Sequence, residues 1–513
     1  MSETLVLIGL AIATTLLAYK LYGDRQRYKL SLPPGPRSYP VIGHLLSIPS
    51  EYEHLKFMQL GKELGNKIFA LTVFGTTIVV LNDKDDAINL LDKRSTIYSD
   101  RTCPPIVQDP SLFDWSDFGS LIGYGDRWRK YRRLMNPLLN KQAIAAHHGS
   151  QERATRKLLR NLLGSHKDIK SSHELEAEFY LAVSSTLFRS LYGYEAESSD
   201  DPVLLRTHKL IMYFASIVLT SNCMVNSIPA LRYVPEWFPG AGWKRQVLEW
   251  KKEKEALLKY LYTIGLENVR KDGNAPIIVA SLRKNALKLG LTEEKADDYV
   301  QQIAITLVAG GADTTISTLM MFLLAMVLHP EVQKKAQEEL DSVIGSARLP
   351  TFEDRAQLGY IERMVQETLR WGPVTPIALP HTCYQDDVYK GYRIPKGTIV
   401  FGNVWAMTRD ETVYKHPDVF DPDRYLDPST PPSPVFGWGR RRCPGMHLGE
   451  ASLFITIASI LTAFNIGVAQ DENGKDVMPN GKMINGIVLV PQEFLVKLTP
   501  RSASHEGLIL NNC

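Results

Sequence analysis

The chain has 513 residues, is 44% hydrophobic and sets 59 Lys and Arg against 56 Asp and Glu, for a net charge of +3. These values describe a large globular protein without a strong field, and they give no case for nucleic acid as a partner. Five cysteines, at 103, 223, 383, 443 and 513, are odd in number and lack paired spacing, so no disulfide framework is expected and a reducing compartment is.

Thr4 to Tyr19 is free of charge over 16 residues, roughly 24 Å of helix and just short of a comfortable bilayer span. Leu21 and Tyr22 extend it past a snorkelling Lys20. Only Glu3 precedes it, whereas Lys20, Arg25, Arg27 and Lys29 follow, an order that keeps the rest of the chain cytosolic and reverses that of a cleavable signal. Residues 1–30 are therefore expected to be a membrane anchor with a basic flank and 31–513 one catalytic body. A removed signal or a buried helix is the alternative. Leu32-Pro33-Pro34-Gly35-Pro36 stiffens the join.

Ile68 to Leu81 alternates around Gly75 and predicts a hairpin. Arg101 to Leu121 is rich in Pro, Asp and Ser and poorly periodic, which predicts a long loop. In Asp126 to Arg133, Trp128 and Arg132 share one helical face, where an indole N–H and a guanidinium suit a pair of carboxylates; a solvated basic helix fits the same spacing. Arg129, Lys130 and Arg133 fall on the outer face and suit an acidic partner protein. From Lys141 to about Arg283 amphipathic helices are expected, broken at Asp200-Asp201-Pro202 and at Pro235 to Gly240. Within that span the apolar stretch Tyr213 to Pro239 reads as core, or as a connector dipping into lipid.

A long helix is predicted from Thr292, its N-cap, to Leu328, where His329-Pro330 ends it. Its apolar course is interrupted by Ala309-Gly310-Gly311-Ala312-Asp313-Thr314-Thr315. Glycines and an acid inside a buried helix lower its stability. Either a ligand lies against the backbone there, beside groups able to pass protons, or the segment is a packing kink. Glu367 and Arg370 are an acid and a base three apart on one helix face. Trp371 to His381 is apolar and pinned by prolines, Lys390 to Val404 predicts short strands, and Met483 to Val490 predicts a late hairpin.

Phe436-Gly437-Trp438-Gly439-Arg440-Arg441-Arg442-Cys443-Pro444-Gly445 places one cysteine behind three arginines and ahead of a helix-like run from Met446. Cations and a helix N-terminus favour a thiolate, so Cys443 is expected to be an anion. No second cysteine or histidine stands at metal-finger spacing, which disfavours structural zinc and leaves a single-thiolate metal site, or a buried structural cysteine.

Phe436, Gly439, Arg441, Cys443 and Gly445 reproduce the pattern Phe-x-x-Gly-x-Arg-x-Cys-x-Gly, and the chain thereby resembles the cytochrome P-450 family of haem-thiolate monooxygenases. The resemblance extends to Trp128-x-x-x-Arg132, Gly310-Gly311-Ala312-Asp313-Thr314, Glu367-x-x-Arg370 and Phe420 to Tyr425. It implies a mainly α fold, a large helical body with small β-sheets, preceded by one N-terminal transmembrane helix. The implied cofactor is heme b, with Cys443 as the axial thiolate to iron and Phe436 and Gly445 flanking it. Trp128, Arg132, His381 and Arg441 are implied to hold the propionates, Thr314 to meet dioxygen, Asp313 to lie on the proton path, and Glu367, Arg370 and Arg424 to form a buried charge network. Arg440 and Arg442 are left for the face that receives electrons.

The implied partners are an NADPH-cytochrome P-450 reductase, with cytochrome b5 as a second donor, and a hydrophobic small-molecule substrate. The proline join after the anchor looks like microsomal members, which implies the endoplasmic reticulum membrane. Trp405 to Asp410 and Ala378-Leu379-Pro380-His381 look like fungal enzymes of secondary metabolism, with a terpenoid as first substrate and an aromatic polyketide or indole as second. Two rivals are a haem-thiolate isomerase or dehydratase, against which the intact Asp313-Thr314 argues, and a non-catalytic haem-binding membrane protein.

Overall fold

The computed structural model describes residues 30–164, 168–218, 223–271 and 277–512; the expected anchor lies outside them. The alternating stretch forms β1 (Ile68–Val73) and β2 (Thr76–Leu81), antiparallel from Ile68↔Leu81 to Val73↔Thr76. Phe74 and Gly75 turn the chain with φ of 46° and 84°, the doubly left-handed geometry whose twist suits a two-residue hairpin. Two later strands, β3 (His381–Thr382) and β4 (Ile399–Gly402), complete a sheet in the order β1-β2-β4-β3, with β2 and β4 parallel. The proline segment docks on this sheet: the Ala70 N–H donates to the Pro34 carbonyl at 2.9 Å, and Nε2 of His44 donates to that of Pro36 at 3.0 Å.

Seven helices position the site: α1 (Asp126–Leu139), α2 (Ser172–Tyr192), α3 (Pro202–Val218), α4 (Gly242–Lys271), α5 (Glu293–Leu328), α6 (Gly359–Trp371) and α7 (Met446–Ala463). Helix α5 is the axle, packed against α1, α2, α4, α6 and α7. It begins where the sequence predicts, with Thr292 Oγ1 accepting from the Lys295 N–H at 3.4 Å, and ends at His329-Pro330. Every side chain from Thr315 to Val327 is buried. Among the described residues α5 and α7 are long and apolar enough to cross a membrane, but their most apolar windows are 78% and 67% buried, as in core helices.

The apolar interior falls into two main clusters that α5 joins. Residues up to Val308 pack with α1, α4 and the 106–122 segment, and residues from Ala312 onward pack with α6 and α7. The seam between the clusters falls at the Ala309 to Asp313 interruption. Breaking the apolar run there opens space beside the helix while leaving each cluster intact.

Two segments differ from expectation. The 101–121 stretch contains a short helix, Pro105–Gln108, and turns Ile106, Val107, Leu112, Phe113, Trp115 and Phe118 inward, so it is an ordered wall. Lysines of α4 hold it from outside: Lys254 Nζ donates to the Phe113 and Asp114 carbonyls at 2.8 and 2.5 Å, and Lys251 Nζ to that of Pro110 at 2.7 Å. The apolar stretch beyond α3 is not core throughout, since Met224, Tyr233 and Trp237 are 69%, 74% and 79% exposed.

Candidate active site

The cysteine stretch is a tight loop between the turn Pro434–Phe436 and the start of α7. The Cys443 N–H donates to the Phe436 carbonyl at 2.8 Å and closes it. Gly439 has a φ of 52°, and a Cβ there would strike the Leu91 carbonyl, so only glycine fits. Its N–H donates to Asp92 Oδ1 at 2.8 Å, which ties the loop to the 88–93 turn. Gly445 occupies the N-cap of α7, next to the cysteine, whose side chain is exposed. Desolvation by the surrounding protein pushes the Cys443 thiol up, while the Gly445 N–H, the Arg132 charge and the Met446 N–H pull it down and favour the thiolate.

Around this loop the structure gathers Trp128, Arg132, Arg441 and His381, and adds Arg101. The Arg441 guanidinium lies 4.7 Å from the centroid of the Trp128 ring and donates to the Ser99 and Ile122 carbonyls, each at 2.7 Å. Burial lowers its pKa to about 10; Asp100 raises it and Arg132 lowers it further. Burial likewise lowers that of Arg132, which the Cys443 sulfur opposes. Neither the Arg132 guanidinium nor the Trp128 indole N–H has a hydrogen-bond partner among the described residues, although Trp128 is only 7% exposed. Arg101 donates to the Leu379 carbonyl at 2.7 Å and to that of Pro380, yet its Nε is buried without a partner. Burial, and then Arg441, hold its pKa well below the usual range.

Arg101 and Arg441 repel each other beside the Asp100 carboxylate, which is already engaged by the N–H groups of Arg101 and Tyr124, and Arg132 adds its repulsion to Arg441. Such a set is destabilising unless anions neutralise it, and two carboxylates would fit. His381 lies deeper than the others. Its ring is 2% exposed, with Nδ1 2.6 Å from the Tyr98 carbonyl, and burial, Arg101 and Arg441 lower its pKa well below normal. Nδ1 is committed to the backbone, which leaves Nε2 as the nitrogen that would meet an anion. A second candidate beside His381 is Arg101. Sequence reading missed it because it lies in an aperiodic stretch and is aimed by Pro380, far along the chain. The exposed Arg440 hydrogen-bonds the Tyr124 hydroxyl, and Arg442 is exposed.

Across the seam, the two glycines of α5 have separate roles. A Cβ at Gly310, which is exposed in mid-helix, would meet nothing within 4 Å, so this face of the helix is open. A Cβ at Gly311 would come to 3.2 Å from Leu187, so this glycine lets α2 approach. Thr314 donates its hydroxyl proton to the Gly310 carbonyl at 2.7 Å and keeps its oxygen free to accept. Asp313 makes no hydrogen bond to another described residue, and burial raises its pKa, against His208 and with Glu176. Further along α5, Val374 and Leu489 cluster with Met321. The late hairpin, Met483–Ile484 with Val490–Pro491, is tied there by Leu489 N–H donating to the Val374 carbonyl at 2.8 Å.

Behind the site, Glu367 and Arg370 are fully buried and form a two-pronged ion pair, both contacts at 2.8 Å, while Arg424 reaches Glu367 at 3.0 Å. Arg370 also donates to the Thr408 and Pro417 carbonyls, so each charge is satisfied. A separate cavity of about 670 Å³, bounded by charged side chains such as Asp117, Lys254 and Asp297, contains none of the cysteine-loop residues.

Residues 33–498 match the family model for cytochrome P450. A monooxygenase of Ampulloclitocybe clavipes, named claR, is 37% identical over 97% of this chain and 92% of its own. Cytochrome P450 monooxygenase 98 of Postia placenta is 34% identical over 98% and 96%. A zebrafish cytochrome P450 solved with abiraterone aligns with a TM-score of 0.71 over 88% of this chain and all of that one, at 22% identity, a likeness of fold. The match across nearly the whole chain and the cysteine loop with its surrounding cations agree, and the chain belongs to the cytochrome P450 family of haem-thiolate monooxygenases.

Proposed function

We propose that Cys443 supplies the thiolate to a heme b iron, that Arg101, Arg132, His381, Arg441 and Trp128 hold its propionates, and that Phe436 and Gly445 flank the sulfur. The observation that carries this is the buried cationic set around Cys443, whose free donors match two carboxylates. When bound, such a haem activates dioxygen and inserts one oxygen atom into a substrate, using electrons delivered from outside. An iron there would favour the thiolate form of Cys443 against the desolvation that raises its pKa. A propionate beside His381 would oppose the burial and the two arginine charges that lower its pKa. Thr314 accepts a hydrogen bond on the open side of α5, with Asp313 next to it as proton source.

The substrate is a hydrophobic small molecule of fungal secondary metabolism, a terpenoid first and an aromatic polyketide or indole second. An apolar lining of Val374, Leu489 and Met321 and the fungal relatives support that choice. Electrons come from an NADPH-cytochrome P450 reductase, with cytochrome b5 as a second donor, at a face carrying Arg129, Arg133, Arg440 and Arg442, all exposed. The exposed Tyr233 and Trp237 support contact with the endoplasmic reticulum membrane beside the N-terminal anchor.

The reduced protein with carbon monoxide is expected to give the red-shifted thiolate band, and Cys443→Ala to lose it; absence of the band from the wild type refutes the reading. Titrating the ferric protein with sesquiterpene hydrocarbons, then with indole and anthraquinone panels, ranks the substrate classes by spectral shift.

A further inference from the structure

The packing of α2 against α5 should be dry, since Leu187 and Ile316 are buried together in it, and Leu204 of α3 is buried as well. A polar line nevertheless crosses it. On α2, Glu176, Tyr180 and Ser184 stand four apart and share one face. From α3, the His208 ring meets Tyr180 edge-on at 4.9 Å, with its Nδ1 buried and without a hydrogen-bond partner. Ser184 Oγ is likewise buried and unpartnered, and the Tyr180 hydroxyl makes one long hydrogen bond, 3.3 Å to the Leu204 carbonyl. From α5 comes Asp313. At the outer end Glu176 is part-exposed and lies 3.6 Å from the exposed His173. Unpartnered buried polar groups are destabilising, so a stripe of them leading from water to the acid beside Thr314 calls for a function.

We propose that protons used at Thr314 enter between α2, α3 and α5, collected at Glu176 and handed by His208 to Asp313. The transfer is a proton hop: imidazolium and carboxylate become imidazole and carboxylic acid, and the imidazole is recharged from the Glu176 side. His208 and Glu176 are the groups whose charges act on Asp313, in opposite senses, and Asp313 in turn acts on Tyr180. Histidine is the side chain that takes up and releases a proton near neutral pH. The proposal rests on the reading of Asp313 and Thr314 as the oxygen-side acid and alcohol.

Two measurements on the full chain test it. The first is an infrared pH titration of the protonated carboxyl band that Asp313→Asn removes. His208→Gln, by removing the opposing positive charge, is expected to move its midpoint to higher pH, and an unmoved midpoint overturns the contact. This arm needs no haem, so it survives a failure of the carbon monoxide test.

The second is NADPH-driven dioxygen consumption with a fungal cytochrome P450 reductase, without added substrate, in light and heavy water, at equal carbon monoxide-binding haem. His208→Gln and Glu176→Gln are each expected to slow it about tenfold and to raise the solvent isotope effect, with the double variant no worse than either. Glu176 lies at the outer end of the stripe, so its effect excludes lost substrate contact. Unchanged rates and isotope effects in both variants overturn the route, and a change confined to His208→Gln overturns entry at Glu176.

Discussion

Arg441 lies over the face of Trp128, 4.7 Å from its centroid, and spends its donors on two backbone carbonyls, Ser99 and Ile122. One side chain thereby joins the cysteine loop, helix α1 and the inward wall of the 101–125 segment. A guanidinium can stack and fork at once, whereas an ammonium cannot. Arg441→Lys is therefore expected to lower haem retained per chain, read as haem absorbance against protein after gel filtration, while far-ultraviolet circular dichroism stays unchanged. Equal retention removes Arg441 from the cofactor-holding set.

Glu367→Gln acts on the fold. It leaves Arg370, fully buried, and Arg424 facing an amide instead of a carboxylate. Breaking a buried pair from one side costs about 3–5 kcal/mol. The midpoint of thermal unfolding should drop steeply, and whatever protein remains folded should keep its carbon monoxide band.

Thr314→Ala removes the hydroxyl that bonds the Gly310 carbonyl while leaving α5 otherwise hydrogen-bonded. Product formed per NADPH is expected to fall several-fold, with hydrogen peroxide rising to match, at nearly unchanged NADPH consumption. Unaltered coupling removes Thr314 from the oxygen side.

Lys254 gives a pH signature. Burial lowers its pKa to about 8, against the pull of Asp114 and Glu255. Between that value and the ordinary lysine range the folded chain has released the proton and the unfolded chain still holds it. Stability thus rises with pH across the window, by a maximum of about 3 kcal/mol from the one group. Lys254→Met should flatten the rise in denaturant-derived stability measured from pH 7.5 to 10, and an equally steep rise in the variant assigns the effect elsewhere.

The elements that sequence alone locates are those with local signals. Thr292 caps α5 and His329-Pro330 stops it, alternation around Gly75 makes the hairpin, and Glu367-Thr368-Leu369-Arg370 sets its pair on one helical face. What escapes sequence is what distance in the chain creates. Arg101 is aimed by the Leu379 and Pro380 carbonyls, His208 matters through Tyr180 and Asp313, and the desolvation and the Arg132 charge that act on Cys443 come from parts of the fold that no decapeptide reveals. The apolar 224–238 connector also shows that hydrophobicity without periodicity does not distinguish interior from surface.

The two glycines of α5 stand one residue apart and answer to different constraints. At 310 an added methyl meets open space, and at 311 it presses on Leu187 and the α2 contact. Variation at 311 is therefore screened first by whether the two helices can still close, a constraint that position 310 does not carry.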